Sequence, residues 1–402
     1  MRPKFSWLRL AVFSLFLTAL LGLAMRYKIA FDLPWLEQKN LREAHSHFAF
    51  YGWITSALYV FIIRYLQQFR EDVRIKKYKW LVALNALGAF AMIPTFLYGG
   101  YYWASIVACS VCMFSSYFFL VFFITDAPKK ETIIRPWYTA ALVFSVISSL
   151  GIFGLSYFKV AQPAATDWQQ MSIYFYLHFQ YNGFFVMTCL GLLLQELILR
   201  GAVVQHKQHR VVFWLMTISV LVGYLLSLGG MKPSAAIVAG GLLSGIGQLA
   251  AVLLFFRLMR TGWSSVVKHW SVFQRRIVMG TGFVLLLKAV MQLVLGFPSV
   301  AELAFGNHNL TIAYLHWVLL LGVTPFLLAR IFALPIFIPN RIGLLALRLF
   351  IVGIIVNEVL LIVKSFTGRP LTDALLVLVS VVIAGAAFLL WLGLRQKPLV
   401  VS

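Results

Sequence analysis

About twelve apolar stretches, each long enough to cross a bilayer, take up nearly the whole chain, centred near residues 15, 56, 88, 113, 147, 187, 220, 246, 287, 321, 354 and 383. A backbone immersed in hydrocarbon has to satisfy its own N–H and C=O groups, so runs of this length are read as helices. Composition agrees: 61% of the 402 residues are hydrophobic and 11% are charged, with a mean hydropathy of +0.89. The connections are mostly short and leave no room for a soluble domain, and no repeat or low-complexity segment divides the chain. Residues 1–402 therefore read as a single transmembrane helical domain, an all-α polytopic membrane bundle of about twelve transmembrane helices.

The formal charge of +22 does not point to nucleic acid, because the basic residues alternate between loops. With the amino terminus inside, about 24 Lys and Arg fall on inner segments against about 8 outside, which the positive-inside rule reads as both termini cytoplasmic in a plasma (inner) membrane. Arg64, Arg70, Arg74, Lys76, Lys77 and Lys79 contribute to that excess. The first apolar run is long for a signal peptide and shows no small-x-small cleavage signal, so it reads as a retained helix. Cys109, Cys112 and Cys189 lie within apolar runs and read as buried free thiols.

With this orientation, helices 2, 6 and 10 run from outside to inside, and each carries a histidine near its outer end: His45, His178 and His316. Asn40 followed by Glu43 resembles a capping box, which would start helix 2 near Leu41 and put His45 about one turn inside. A lone histidine in an apolar helix is usually a hydrogen-bonded structural residue. Three at one level point instead to a cavity, a partner or a cofactor, since ionisable groups in a membrane are costly. Neutral imidazole is an iron ligand, and two from facing helices can hold a haem edge-on. His45 and His47 point about 200° apart and cannot serve one iron. His206, His209 and His269 read as solvated loop residues. For His308, at the outer mouth of helix 10, a propionate contact, a water network and solvent exposure all stay open.

Three short motifs carry a resemblance to subunit I of the haem-copper oxidase superfamily, closest to the nitric oxide reductase branch. "LREAHSHFAFYGW" in helix 2 resembles the pattern of Arg, Glu and a hydrophobe before the low-spin haem histidine, which implies His45 as ligand and leaves His47 facing elsewhere. "HFQYNGFF" in helix 6 resembles the segment in which a copper- or iron-binding histidine precedes a glutamate by four residues and then a glycine. His178 and Gly183 match, and Asn182 stands in place of the acid. "YLHWVLLLG" in helix 10 resembles two histidines two residues apart, with His316 in the place of the low-spin ligand and Tyr314 in that of the high-spin haem ligand. Helix 7 lacks the adjacent histidine pair of the family, and His178 alone gives too few ligands for a conventional copper or non-haem iron site.

The resemblance thus implies a haem b held by His45 and His316, used for electron transfer or for handling a small gas such as NO or O2. A second haem or metal would sit near His178, Asn182, Tyr314 and His47. If the protein turns over, the expected class is a respiratory-type oxidoreductase, with a cytochrome or quinol as electron donor. Arg369, before helix 12, and Arg42, one turn before His45, are the candidates to meet haem propionates, either of which an interfacial arginine role would explain equally.

Lys288 in helix 9 and Glu358 beside Asn357 in helix 11 are read as pairing with each other or lining a proton path. Trp7, Trp53, Trp103 and Trp137 read as an interfacial belt, and the glycines around helices 7 and 8 as sites of close packing. The competing reading is a twelve-helix secondary transporter without haem, its path lined by Lys288, Glu358, Gln248 and Gln292, although no half-repeat supports it. A membrane hydrolase lacks a nucleophile beside any histidine.

Overall fold

The computed structural model describes residues 6–70, 72–231, 233–334, 337–338, 340–367 and 370–396. Among these described residues, twelve helices are long and apolar enough to cross a membrane. We number them as spans in chain order: span 1 Ser6–Ala30, span 2 Gln38–Phe69, span 3 Ile75–Gly99, span 4 Trp103–Asp126, span 5 Arg135–Ala161 and span 6 Thr166–Leu199. Span 7 is His206–Gly229, span 8 Ala235–Val267, span 9 Val272–Val294, span 10 His308–Phe332, span 11 Arg341–Thr367 and span 12 Pro370–Gly393. The chain is an all-helical polytopic membrane protein, as its apolar runs require. One short helix, Pro298–Gly306, precedes span 10 and has no counterpart in the sequence reading.

The chain forms two compact units. Residues 1–64, 72–118 and 324–402 make the first, and residues 65–71 and 119–323 the second. In the first unit span 12 packs against spans 1 and 11, with Phe13 against Trp391 and Phe16 against Phe388 at ring-centre distances of 5.1 Å. A two-residue antiparallel pairing, Phe337 with Gln396, ties the ends of two connections together. In the second unit span 8 packs against spans 7 and 9. Glycines allow this approach: a Cβ on Gly245 would lie 2.7 Å from the Cα of Leu293, and one on Gly247 would lie 2.2 Å from the Ser219 hydroxyl. Small residues are what bring helix backbones together where lipid supplies no hydrophobic drive.

Side-chain caps mark some of the helix starts. Ser271 and Gln274 make a reciprocal capping box at span 9, and the Asn307 carboxamide accepts from the N–H groups of Asn309 and Leu310 at span 10. Glu131 accepts from three successive N–H groups, of Ile133, Ile134 and Arg135, at the start of span 5. The capping box expected at Asn40 and Glu43 does not form. Span 2 starts earlier, at Gln38, because Asn40 is buried against Gly100, where a Cβ would come within 2.6 Å of its Oδ1. Gly100 has a φ of 59°, so it has two independent reasons to be glycine.

Spans 2, 6 and 10 differ from the rest in two ways. In their most apolar windows 83, 78 and 61% of residues are buried, against 33–44% in the other nine. Each is also interrupted by a π-helical segment: Ala49–Thr55, Phe179–Val186 and Trp317–Val323. Every one of these begins at or just after a histidine: two residues past His47, and immediately after His178 and His316. Such segments carry one extra residue in the turn and recur at functional positions. The pattern returns every fourth span, a periodicity of structure that the sequence reading did not detect.

Candidate functional site

His45 is the eighth residue of span 2, which puts it about 10 Å along the helix rather than one turn inside. Its Nδ1 lies 2.9 Å from the main-chain carbonyl of Thr18 in span 1. A carbonyl only accepts, so Nδ1 carries the proton and Nε2 keeps the lone pair. This is the tautomer an imidazole needs to ligate iron through Nε2, with the carbonyl fixing the ring orientation. Gly22, one turn beyond Thr18, makes room for the ring: a Cβ there would lie 3.2 Å from the His45 Cε1.

His47 lies in a different environment. Its Nε2 donates to the Tyr101 hydroxyl at 2.7 Å, and that hydroxyl donates to Glu43 Oε2 at 3.3 Å. The ring stacks on Phe96 with centres 4.9 Å apart and planes 8° from parallel. Burial, and after it the Glu43 carboxylate, push the Tyr101 hydroxyl well above its ordinary pKa, so it remains a donor. Arg42, half exposed, reaches Glu43 Oε1 at 3.5 Å. The Glu43, Tyr101 and His47 cluster occupies the side chain that shared a motif with His45, as expected for residues pointing about 200° apart.

In the second unit His178 is 2% exposed and sits about 18 Å along span 6, roughly three turns from its first residue. Its Nε2 donates to the Val220 carbonyl at 2.8 Å, and the Asn182 amide donates to Nδ1 at 3.1 Å. Both ring nitrogens are thus occupied, and the lone pair that a metal would use is covered by an amide hydrogen. Gly223 allows the close approach, since its Cβ would meet His178 Cε1 and Gln248 Nε2 at 3.1 Å and the Ser244 hydroxyl at 2.8 Å. Among the described residues no three His, Cys, Asp or Glu side chains gather as a metal-binding group. His45 thus holds the tautomer that leaves Nε2 as an acceptor, whereas both ring nitrogens of His178 are engaged by neighbours.

Tyr314 packs edge-on against Tyr181 with ring centres 6.1 Å apart, and the two buried phenol hydroxyls interact with each other. His316 is half-buried, at the junction between the first turns of span 10 and its π segment. The next residue, Trp317, donates from Nε1 to the Val284 carbonyl at 3.2 Å. His308 is exposed at the start of the same span, and Arg369 lies outside the described residues.

Several other polar residues differ from the sequence reading. Lys288 is buried, and its ammonium donates to Gln248 at 3.0 Å and Gln292 at 2.6 Å. Glu358 accepts from Asn357 at 2.9 Å, with Arg26 of span 1 in electrostatic range. His209 is buried rather than solvated and accepts at Nε2 from Trp137 Nε1 at 2.8 Å. Trp137 and Trp53 are correspondingly core residues, Trp53 donating to the Thr324 hydroxyl at 3.0 Å, while Trp103 is exposed. The three cysteines are free, as expected, but only Cys112 is fully buried, Cys109 and Cys189 being partly exposed. The i,i+4 spacing of Lys288 and Gln292 was the one signal in the sequence for its cluster; nothing local marked Thr18, Gly22 or Tyr101 as neighbours of the span 2 histidines. No family model matches the chain, and no curated protein matches it significantly.

Proposed function

We propose that this chain is a membrane haem protein carrying a low-spin b-type haem, with His45 as an axial ligand. The bond from His45 Nδ1 to the Thr18 carbonyl carries the reading, because it leaves Nε2 as the ligating nitrogen and holds the ring where Gly22 leaves space. The repeated pairing of a histidine with a π segment in spans 2, 6 and 10 adds to it. When bound, the haem supplies one-electron chemistry or a surface for a small gas such as NO or O2.

The chain's own part is to fix the ligand tautomer at His45, to exclude water with the buried aromatic run of span 2, and to offer Arg42 beside the haem-ligand turn. A second metal centre is not part of the proposal, since Asn182 and Val220 already use both nitrogens of His178. The protein would serve electron transfer or gas handling, with a cytochrome or a quinol as donor, in a plasma membrane with both termini on the cytoplasmic side. Haem quantitation on the purified chain tests this: about one b-type haem per chain is expected, and a colourless protein from haem-replete cells would refute it.

A further inference from the structure

We propose that Lys288 and Gln248, on spans 9 and 8, form a buried binding site for a small monovalent anion of halide size. The proposal is independent of the haem. Lys288 is 4% exposed and lies in the middle of an apolar helix. An ammonium has three N–H donors. Two go to the side-chain oxygens of Gln248 and Gln292, and neither acceptor carries charge. Among the described residues no carboxylate pairs with this ammonium. A lone cation in such a place is costly unless a counter-charge joins it.

The second observation concerns Gln248, which is 1% exposed. Because Lys288 donates to its Oε1, the amide orientation is fixed, with Nε2 as its donor end. That Nε2 is buried and has no hydrogen-bond partner, although an amide nitrogen has two donors to place. The unspent ammonium hydrogen and the unspent amide hydrogens therefore belong to side chains already bonded to each other. A group that only accepts hydrogen bonds, and carries one negative charge, satisfies both.

Its size is limited by packing. Gly223 brings Gln248 Nε2 beside His178 Cε1 and the Ser244 hydroxyl, and Gly245 sets the backbone of span 9 against span 8. Contacts this close suit a single small ion rather than a larger organic anion. Nothing here calls for redox chemistry: the anion enters and leaves unchanged, and one negative charge offsets one positive charge.

The test is calorimetric titration of the purified full-length protein with sodium bromide, at ionic strength held constant by sodium gluconate. Saturable binding of one bromide per chain is expected. Lys288→Gln should weaken it at least tenfold. Gln248→Glu supplies an internal carboxylate for the ammonium, so it should abolish bromide binding while the melting temperature holds or rises, which keeps the test decisive if the lysine variant does not fold. Absence of saturable bromide binding in the wild type would overturn the site, leaving it a hydrated or dry polar pair. Unchanged binding in Gln248→Glu would overturn it too, because the bromide would then be bound elsewhere, the haem iron included.

Discussion

A single glycine decides whether His45 can present its ring, and that makes Gly22 the most informative residue to change. The ring lies 3.2 Å from where a Cβ would stand, so Gly22→Val drives two methyl groups against it. We expect a loss of about 1–3 kcal/mol in stability, with haem content falling by more than half. Gly280→Val, where nothing lies within 4 Å of the Cβ position, should change neither, and haem content per chain reads both. Tyr101 gives a pH test. Its hydroxyl is raised in the folded protein, chiefly by burial and then by Glu43, so the unfolded chain loses this proton first as pH climbs past about 10. The contribution is complete below that value and is lost as pH rises further. Thermal melts from pH 8 to 11 should therefore show a shallower alkaline decline in Tyr101→Phe than in wild type, and parallel declines would contradict the assignment.

At the scale of elements, the π segments set the rotation of one half of a span relative to the other. Removing one residue from Ala49–Thr55 restores α-helical register and turns everything on one side by about 100° relative to the other. His45 would leave the Thr18 carbonyl, and haem should be lost although the span stays long enough to cross. A deletion that leaves haem content intact would show that the π segment does not orient the ligand. Gly183, inside the second π segment, has a Cβ position 2.5 Å from the Cβ of Phe144, so Gly183→Ala should cost about 1–3 kcal/mol, read as a lower melting temperature. The helices themselves were legible in the sequence, because hydrocarbon forces a long apolar run to be helical. Their π interruptions were not, since "AFYGWIT" and "WVLLLGV" have no residue that would separate an α from a π turn without knowledge of the packing. Asn40 was misread for a similar reason: as an N-cap it looks sufficient, but its partner is Gly100, sixty residues away.

For the whole molecule, apolar run length predicted twelve spans, and all twelve are present. Which spans are most buried was not legible from hydropathy: the most buried, span 2, has the lowest value, at 1.3. The histidines were the better guide, because charge-bearing groups are tolerated where helices shield them from lipid. Tryptophan position was a poor guide, since Trp53, Trp137 and Trp103 were all read as an interfacial belt, yet of these three only Trp103 is exposed. The basic-loop asymmetry predicts that reporter fusions at either terminus report the cytoplasmic side; a periplasmic carboxy terminus would contradict it. The central claim is ligation of a haem by His45, and reduced-minus-oxidised optical spectra of the wild type and His45→Ala address it most directly. Sharp α and β bands in the wild type, absent from the variant, are the predicted result; bands that persist unchanged in the variant would contradict it.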